Sequence, residues 1–385
     1  MKFLGVFLIL TTRSVLASEG DHLPEFSDCW SRCSYLLNCD GDPHGYGLKR
    51  SVGLSNSGRS EEDKYEKEYF LDYESLSGLT RFIFRWDCSS DCNYKCQQII
   101  TNKRLLHEEN MVQFYGKWPF KRVLGMQELP SVLFSVANFY ANYSNLFKIL
   151  YQYRRNSIQK TQYVVMYQQY LILIMVSLVG WMCSALFHAR DSAFTETLDY
   201  FGAALIILSN FTTIVMRYFN LFELGNSIKL RILRGSVFTI FVIHCIRLYL
   251  NWNYRYNVLF NLIFGLAASI LWILHSFNVN KVFVKDNHIY NSSIQLLPHE
   301  TKILAKLSYI SISKTSLIPL IPIFLNIWII CGLSFELLDF APIWRLVDAH
   351  AIWHLFTIFP SMIWFDWNIW DIEMHKVSSS ISKQV

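Results

Sequence analysis

Beyond Pro130 the chain is a succession of apolar runs, each long enough to cross a bilayer and separated by polar connections. The runs predict helices over 131–150, 164–187, 198–216, 234–250, 256–275, 315–334 and 347–365. Asn210 interrupts the third, and Pro319 and Pro322 fall in the sixth, where neighbouring helices would satisfy the freed backbone groups. The pattern before Pro130 is different. The first 17 residues, MKFLGVFLILTTRSVLA, place a lysine before an apolar run from Phe3 to Leu10 and put Val15 and Ala17 at the small-residue positions of a cleavage site. This predicts a removable secretory signal; Arg13 interrupts it, so retention as an anchor is the alternative. Either way, the next segment enters the secretory lumen.

The resulting expectation is an all-α polytopic membrane protein with seven transmembrane helices and an N-terminal cysteine-rich luminal domain. Its boundaries are a signal peptide at 1–17, the luminal domain at 18–125, the transmembrane domain at 126–365 and a cytosolic tail at 366–385. Charge placement agrees. The loops after the first, third and fifth helices hold Arg154, Arg155 and Lys160; Arg217, Lys229, Arg231 and Arg234; and Lys281, Lys285, Lys302 and Lys306. The opposite loops hold little beyond Arg190, Arg247, Arg255 and Arg345, which orients the bundle with its N-terminus in the lumen. With 52% hydrophobic and 16% aromatic residues, the chain is too apolar for an ordinary two-domain soluble protein. The net charge of +5 forms no contiguous basic run, which argues against a nucleic-acid partner.

Six cysteines lie in the polar N-terminal region, as one cluster of Cys29, Cys33 and Cys39 and another of Cys88, Cys92 and Cys96. In an oxidising lumen they predict three disulfides of open connectivity. Cys88, Cys92 and Cys96 would also share one helix face and so could hold a metal, which the luminal setting disfavours. Cys183, Cys245 and Cys331 fall in apolar runs and read as buried thiols.

Ionisable side chains inside apolar runs are costly and therefore informative. His350 and His354, in VDAHAIWH, are one turn apart at the entry of the seventh helix; His188 ends the second, at the same luminal level. Two stacked imidazoles plus a third from another helix, with a tetrahedral position left for water, describe a catalytic zinc site. Asp199, expected to begin the third helix at the depth of His188, could take the proton of that water. Ser184, one turn before His188, could donate to a developing oxyanion. His244 and His275 read as packing histidines. Asp348 reads either as a charge at the helix start or as an orienter of a ligand histidine.

Ser-x-x-x-His, an aspartate 11 residues after that histidine, and His-x-x-x-His in the last helix resemble the signature of the CREST superfamily of seven-helix membrane hydrolases. Within it, CWSRC, WDCSSDCNYKC, the segment QFYGKWPFKRVLGMQELPSVLFSVANF at 113–139, and VDAHAIWH resemble the Per-like family of GPI-anchor remodelling phospholipases. The resemblance implies metal ligands at His188, His350 and His354, a water-orienting acid at Asp199, an oxyanion-side serine at Ser184, and zinc (Zn2+) as cofactor. It implies hydrolysis, by zinc-activated water, of the sn-2 acyl ester of the phosphatidylinositol of GPI-anchored proteins. These proteins, presented at the membrane lipid, are the expected partners, and the endoplasmic reticulum membrane the expected location, with the Golgi as alternative. A ceramidase-like amide hydrolase and a non-catalytic metal-containing receptor or chaperone are the competing readings.

Overall fold

The computed structural model describes residues 18–39, 61–285 and 298–381. The signal region lies outside them. The described residues are helical, with three isolated antiparallel bridges and no strand. The chain divides into two compact units, one formed by Met1–Pro130 with His188–Arg190 and Phe340–Asp348, the other by Ser131–Phe187, Asp191–Asp339 and Ala349–Val385.

The first unit contains helices α1 (Pro24–Leu36), α2 (Glu61–Asp72), α3 (Gly78–Phe84) and α4 (Cys88–Leu106). Pro24 opens α1, where its missing N–H costs nothing, and Asp87 caps α4 by accepting the Ser90 N–H at 2.7 Å. Cysteines four apart share a helix face, so two antiparallel helices can be cross-linked rung by rung. The pairs are Cys29–Cys96, Cys33–Cys92 and Cys39–Cys88. This fixes the connectivity that the sequence left open and consumes the sulfurs a metal would have needed.

Phe26, Phe70, Ile100 and Phe114 pack around the cross-links. Beside them Asp91 is buried with Lys95 at 3.0 Å and Arg122 at 2.6 Å, and the Arg122 guanidinium stacks over Tyr94. Burial lowers the Lys95 pKa, against the opposing pull of Asp91. Losing one cysteine of a buried rung should cost roughly 2 to 5 kcal/mol. Cys92→Ser, which leaves Cys33 without its partner, is therefore expected to lower the amount of full-length protein and expose a reactive thiol, whereas Cys245→Ser should do neither; quantitative immunoblotting with maleimide labelling checks both.

The second unit holds α5 (Leu129–Ile158), α6 (Val164–Ala189), α7 (Ala193–Tyr218), α8 (Ser227–Leu250), α9 (Tyr254–Lys285), α10 (Pro298–Ile310), α11 (Ile321–Leu338) and α12 (Ala349–Ile381). Among the described residues, five segments are long and apolar enough to span a membrane: α6, α7, α8, α9 and Thr315–Leu338. These coincide with five of the seven expected spans. The first and seventh form the long helices α5 and α12, but neither has the hydropathy of a span, so a count of seven does not follow from composition.

The reason is a polar seam. Ser131, Ser135, Asn138, Asn142, Asn145, Ile149, Gln152 and Asn156 recur at alternating intervals of four and three, and all are buried. Leu133, Val136, Tyr140, Phe147 and Tyr151 on the other side are exposed. The seam meets α12: Asn138 Nδ2 donates to the His354 carbonyl at 2.9 Å and Thr357 Oγ1 at 3.0 Å, Asn145 Nδ2 donates to the Ser361 carbonyl at 2.9 Å, and Lys148 pairs with Asp366. Averaged hydropathy hides an apolar outer face behind such an inner one.

Three boundaries change. Asn210 does not interrupt α7; its amide oxygen accepts the Trp272 indole N–H at 3.4 Å. Residues 366–381, expected as tail, continue α12, because Asp366 and Asp371 are buried against Lys148, Lys306, Arg217 and His275. The loop around Lys302 and Lys306 contains α10, with Ile303 and Leu307 buried. Pro319 lies in a 3-10 turn, Thr315–Leu320, and Pro322 near the start of α11, so neither breaks a helix interior.

Candidate metal centre

His188 is the penultimate residue of α6, and His350 and His354 lie in the first two turns of α12. One ligand atom from each of the three lies within 4.8 Å of the others. The rings of His350 and His354 stand 4.5 Å apart, as their one-turn spacing requires, and Trp181 packs edge-on to His354 at 5.3 Å. His188 and His354 are buried; the His350 side chain keeps 35% of its exposure.

Each ring is held at Nδ1. His188 Nδ1 meets Glu128 Oε2 at 2.7 Å, His350 Nδ1 meets Glu336 Oε2 at 2.9 Å, and His354 Nδ1 meets Ser135 Oγ at 2.9 Å. A carboxylate only accepts, so Nδ1 of His188 and of His350 carries the proton, and in the neutral form of each ring Nε2 is the nitrogen with a lone pair to give. Three imidazoles with ligand atoms at this spacing fit a divalent zinc-type ion. None of Glu128, Glu336 and Ser135 was anticipated from the sequence; Glu128 and Ser135 both lie inside the 113–139 segment, seven residues apart, but no local spacing links Glu336 to His350.

Ser184 is buried, and its Oγ is 3.2 Å from Ser135 Oγ, so a chain of hydrogen bonds runs Ser184–Ser135–His354. Asp199 is placed differently from expectation. Ser192 caps α7 by accepting the Thr195 N–H at 3.3 Å, so Asp199 stands two turns inside the helix rather than at its start. α6 and α7 cross at two glycines, where a Cβ on Gly202 would lie 3.1 Å from Gly180 Cα. From that close approach, Asp199 lies three residues before Gly202 on α7 and Cys183 three residues after Gly180 on α6. Asp199 is not one of the three residues that converge.

His244 and His275 are held by packing and hydrogen bonding outside this group. His244 stacks on Phe260 at 3.8 Å, and His275 Nε2 meets Asp371 at 3.1 Å, where Arg217 also binds through two hydrogen bonds of 2.6 and 3.0 Å. Asp348 is buried and is not part of the histidine group.

The family model of the Per1-like family matches residues 78–372, a stretch that includes Cys88, Cys92 and Cys96, the 113–139 segment and all three histidines. The chain belongs to the Per1-like family. This Per1-like chain is 35% identical over 369 residues to Protein PER1 of Saccharomyces cerevisiae, covering 95% of itself and 96% of that protein. It is 31% identical over 350 residues to Post-GPI attachment to proteins factor 3 of Drosophila melanogaster, covering 89% of itself and 86% of that protein. It is also 30% identical over 362 residues to the GPI-specific phospholipase A2-like PGAP3 of Cricetulus griseus, with 93% and 91% covered. No solved structure matches it.

Proposed function

We propose that this Per1-like protein remodels GPI anchors by hydrolysing the sn-2 acyl ester of their phosphatidylinositol, leaving the lyso-form. The carrying observation is the convergence of His188, His350 and His354 in a chain whose relatives are named for GPI attachment and for a GPI-specific phospholipase A2-like activity. The three imidazoles would hold zinc, which when bound supplies Lewis-acid polarisation of the ester carbonyl and a lowered pKa for water. Asp199 takes a proton from the attacking water as its oxygen bonds to the acyl carbon, and returns it to the departing sn-2 oxygen as the ester C–O bond breaks. Ser184 donates to the oxygen that carries the developing negative charge.

The three disulfides need an oxidising compartment, which supports a luminal cysteine-rich unit and a reaction at the luminal face of the endoplasmic reticulum. The test is lipid analysis of GPI-anchored proteins from cells lacking the protein. Their anchors should retain an unsaturated sn-2 chain, which the wild-type protein removes on re-expression and His350→Ala does not. Normal anchors together with accumulating ceramide would instead identify an amide hydrolase.

A further inference from the structure

We propose that Glu128 and Glu336 are positioning residues of the metal centre, each fixing one ligand histidine so that it binds through Nε2. The inference rests on reading the three histidines as a metal site. It also gives work to the 113–139 segment, whose pattern the ligand set, Asp199 and Ser184 leave unexplained.

Glu128 holds His188 at two places. Its carboxylate takes the ring Nδ1–H at 2.7 Å, and its backbone N–H donates to the His188 carbonyl at 3.0 Å; the adjacent Gln127 N–H donates to the Ala189 carbonyl at 3.1 Å. Both ring and backbone at the end of α6 are thereby set by one short stretch. Lys117, from the same segment, is 3.9 Å from the other carboxylate oxygen, so the carboxylate lies between an ammonium group and an imidazole. Seven residues after Glu128, Ser135 reaches His354 Nδ1 at 2.9 Å. The segment MQELPSVLFS therefore addresses a ligand on each of two helices. The third ligand, His350, is held at 2.9 Å by Glu336 from α11.

Neutral imidazole exists as two tautomers, and only the one protonated at Nδ1 presents Nε2 to a metal. A carboxylate selects that tautomer, fixes the ring plane and makes Nε2 more basic. An amide keeps the size but loses the charge, and its NH2 can donate to Nδ1 and favour the wrong tautomer. Residues that merely tied helix ends together would not act on the metal in this way.

The experiment uses full-length protein in nanodiscs, with zinc affinity measured by competition against a chelating indicator and cobalt(II) absorption recorded as the signature of the ligand field. Glu128→Gln and Glu336→Gln should each weaken zinc binding about 10- to 100-fold and shift the cobalt bands, with the rate recovering at excess zinc. Glu128→Asp should fall between wild type and Glu128→Gln. Because Glu336 lies on a different helix, its variant carries the test if Glu128→Gln does not fold. Wild-type affinity and unchanged cobalt bands in the glutamine variants would overturn the proposal. His350→Ala separates the two claims: if it binds zinc like wild type, the metal reading itself fails, and if it loses zinc while both glutamine variants bind normally, only the positioning role fails.

Discussion

Alanine at His188, His350 or His354 is expected to remove bound zinc and hydrolysis together, leaving disulfide-bonded protein in the membrane. Each residue contributes one donor to a group spanning 4.8 Å, and a site built for three protein ligands does not keep its ion on two. The loss should be nearly complete for each variant, because the remaining pair must compete with chelators and water. Steric damage should be smallest at His350, which keeps 35% of its side-chain exposure, so its truncation leaves little buried void. His244→Ala is the matched control. It removes a ring that stacks on Phe260 between α8 and α9 and is not one of the three convergent histidines, and it should leave zinc content and rate unchanged. Elemental analysis beside a lipid-release assay checks the set. Zinc retained with full activity in any of the three would remove that residue from the ligand set.

Asp199→Asn is expected to behave in the opposite way, keeping zinc while the rate falls by about 10²- to 10⁴-fold, the contribution of a positioned acid–base group. The side chain is isosteric, and Asp199 is not one of the three convergent residues. The lost term should therefore appear in the maximal rate at saturating zinc, with zinc affinity unmoved. A full rate in this variant would exclude Asp199 as the base; a loss of zinc would make it a ligand or a support for one.

The difference between these two expectations mirrors what the sequence made legible. His-x-x-x-His and Ser-x-x-x-His are local helix spacings, and α-helical geometry carries them directly into shared faces. The six cysteines predicted three cross-links, but their pairing depended on α1 and α4 running antiparallel, a tertiary fact. The depth of Asp199 was misjudged because Ser192 starts α7 well before the apolar run does, and polar Thr195, Glu196 and Thr197 masked that first turn and a half. Helices α5 and α12 were found but their character was not, since their polar residues satisfy one another across a seam that no single-helix average detects. Glu128 and Glu336 were missed for a similar reason. Each acts through a histidine 60 or 14 residues away, and only the fold brings them together.

The central claim is ester hydrolysis on a GPI lipid, and it is tested most directly with purified, zinc-loaded protein, a GPI-anchored protein as substrate, and mass spectrometry of both products. One free, mainly unsaturated fatty acid per anchor and a matching lyso-phosphatidylinositol anchor are expected, with neither product from His354→Ala. An anchor left diacylated by the zinc-loaded wild-type protein would contradict the claim.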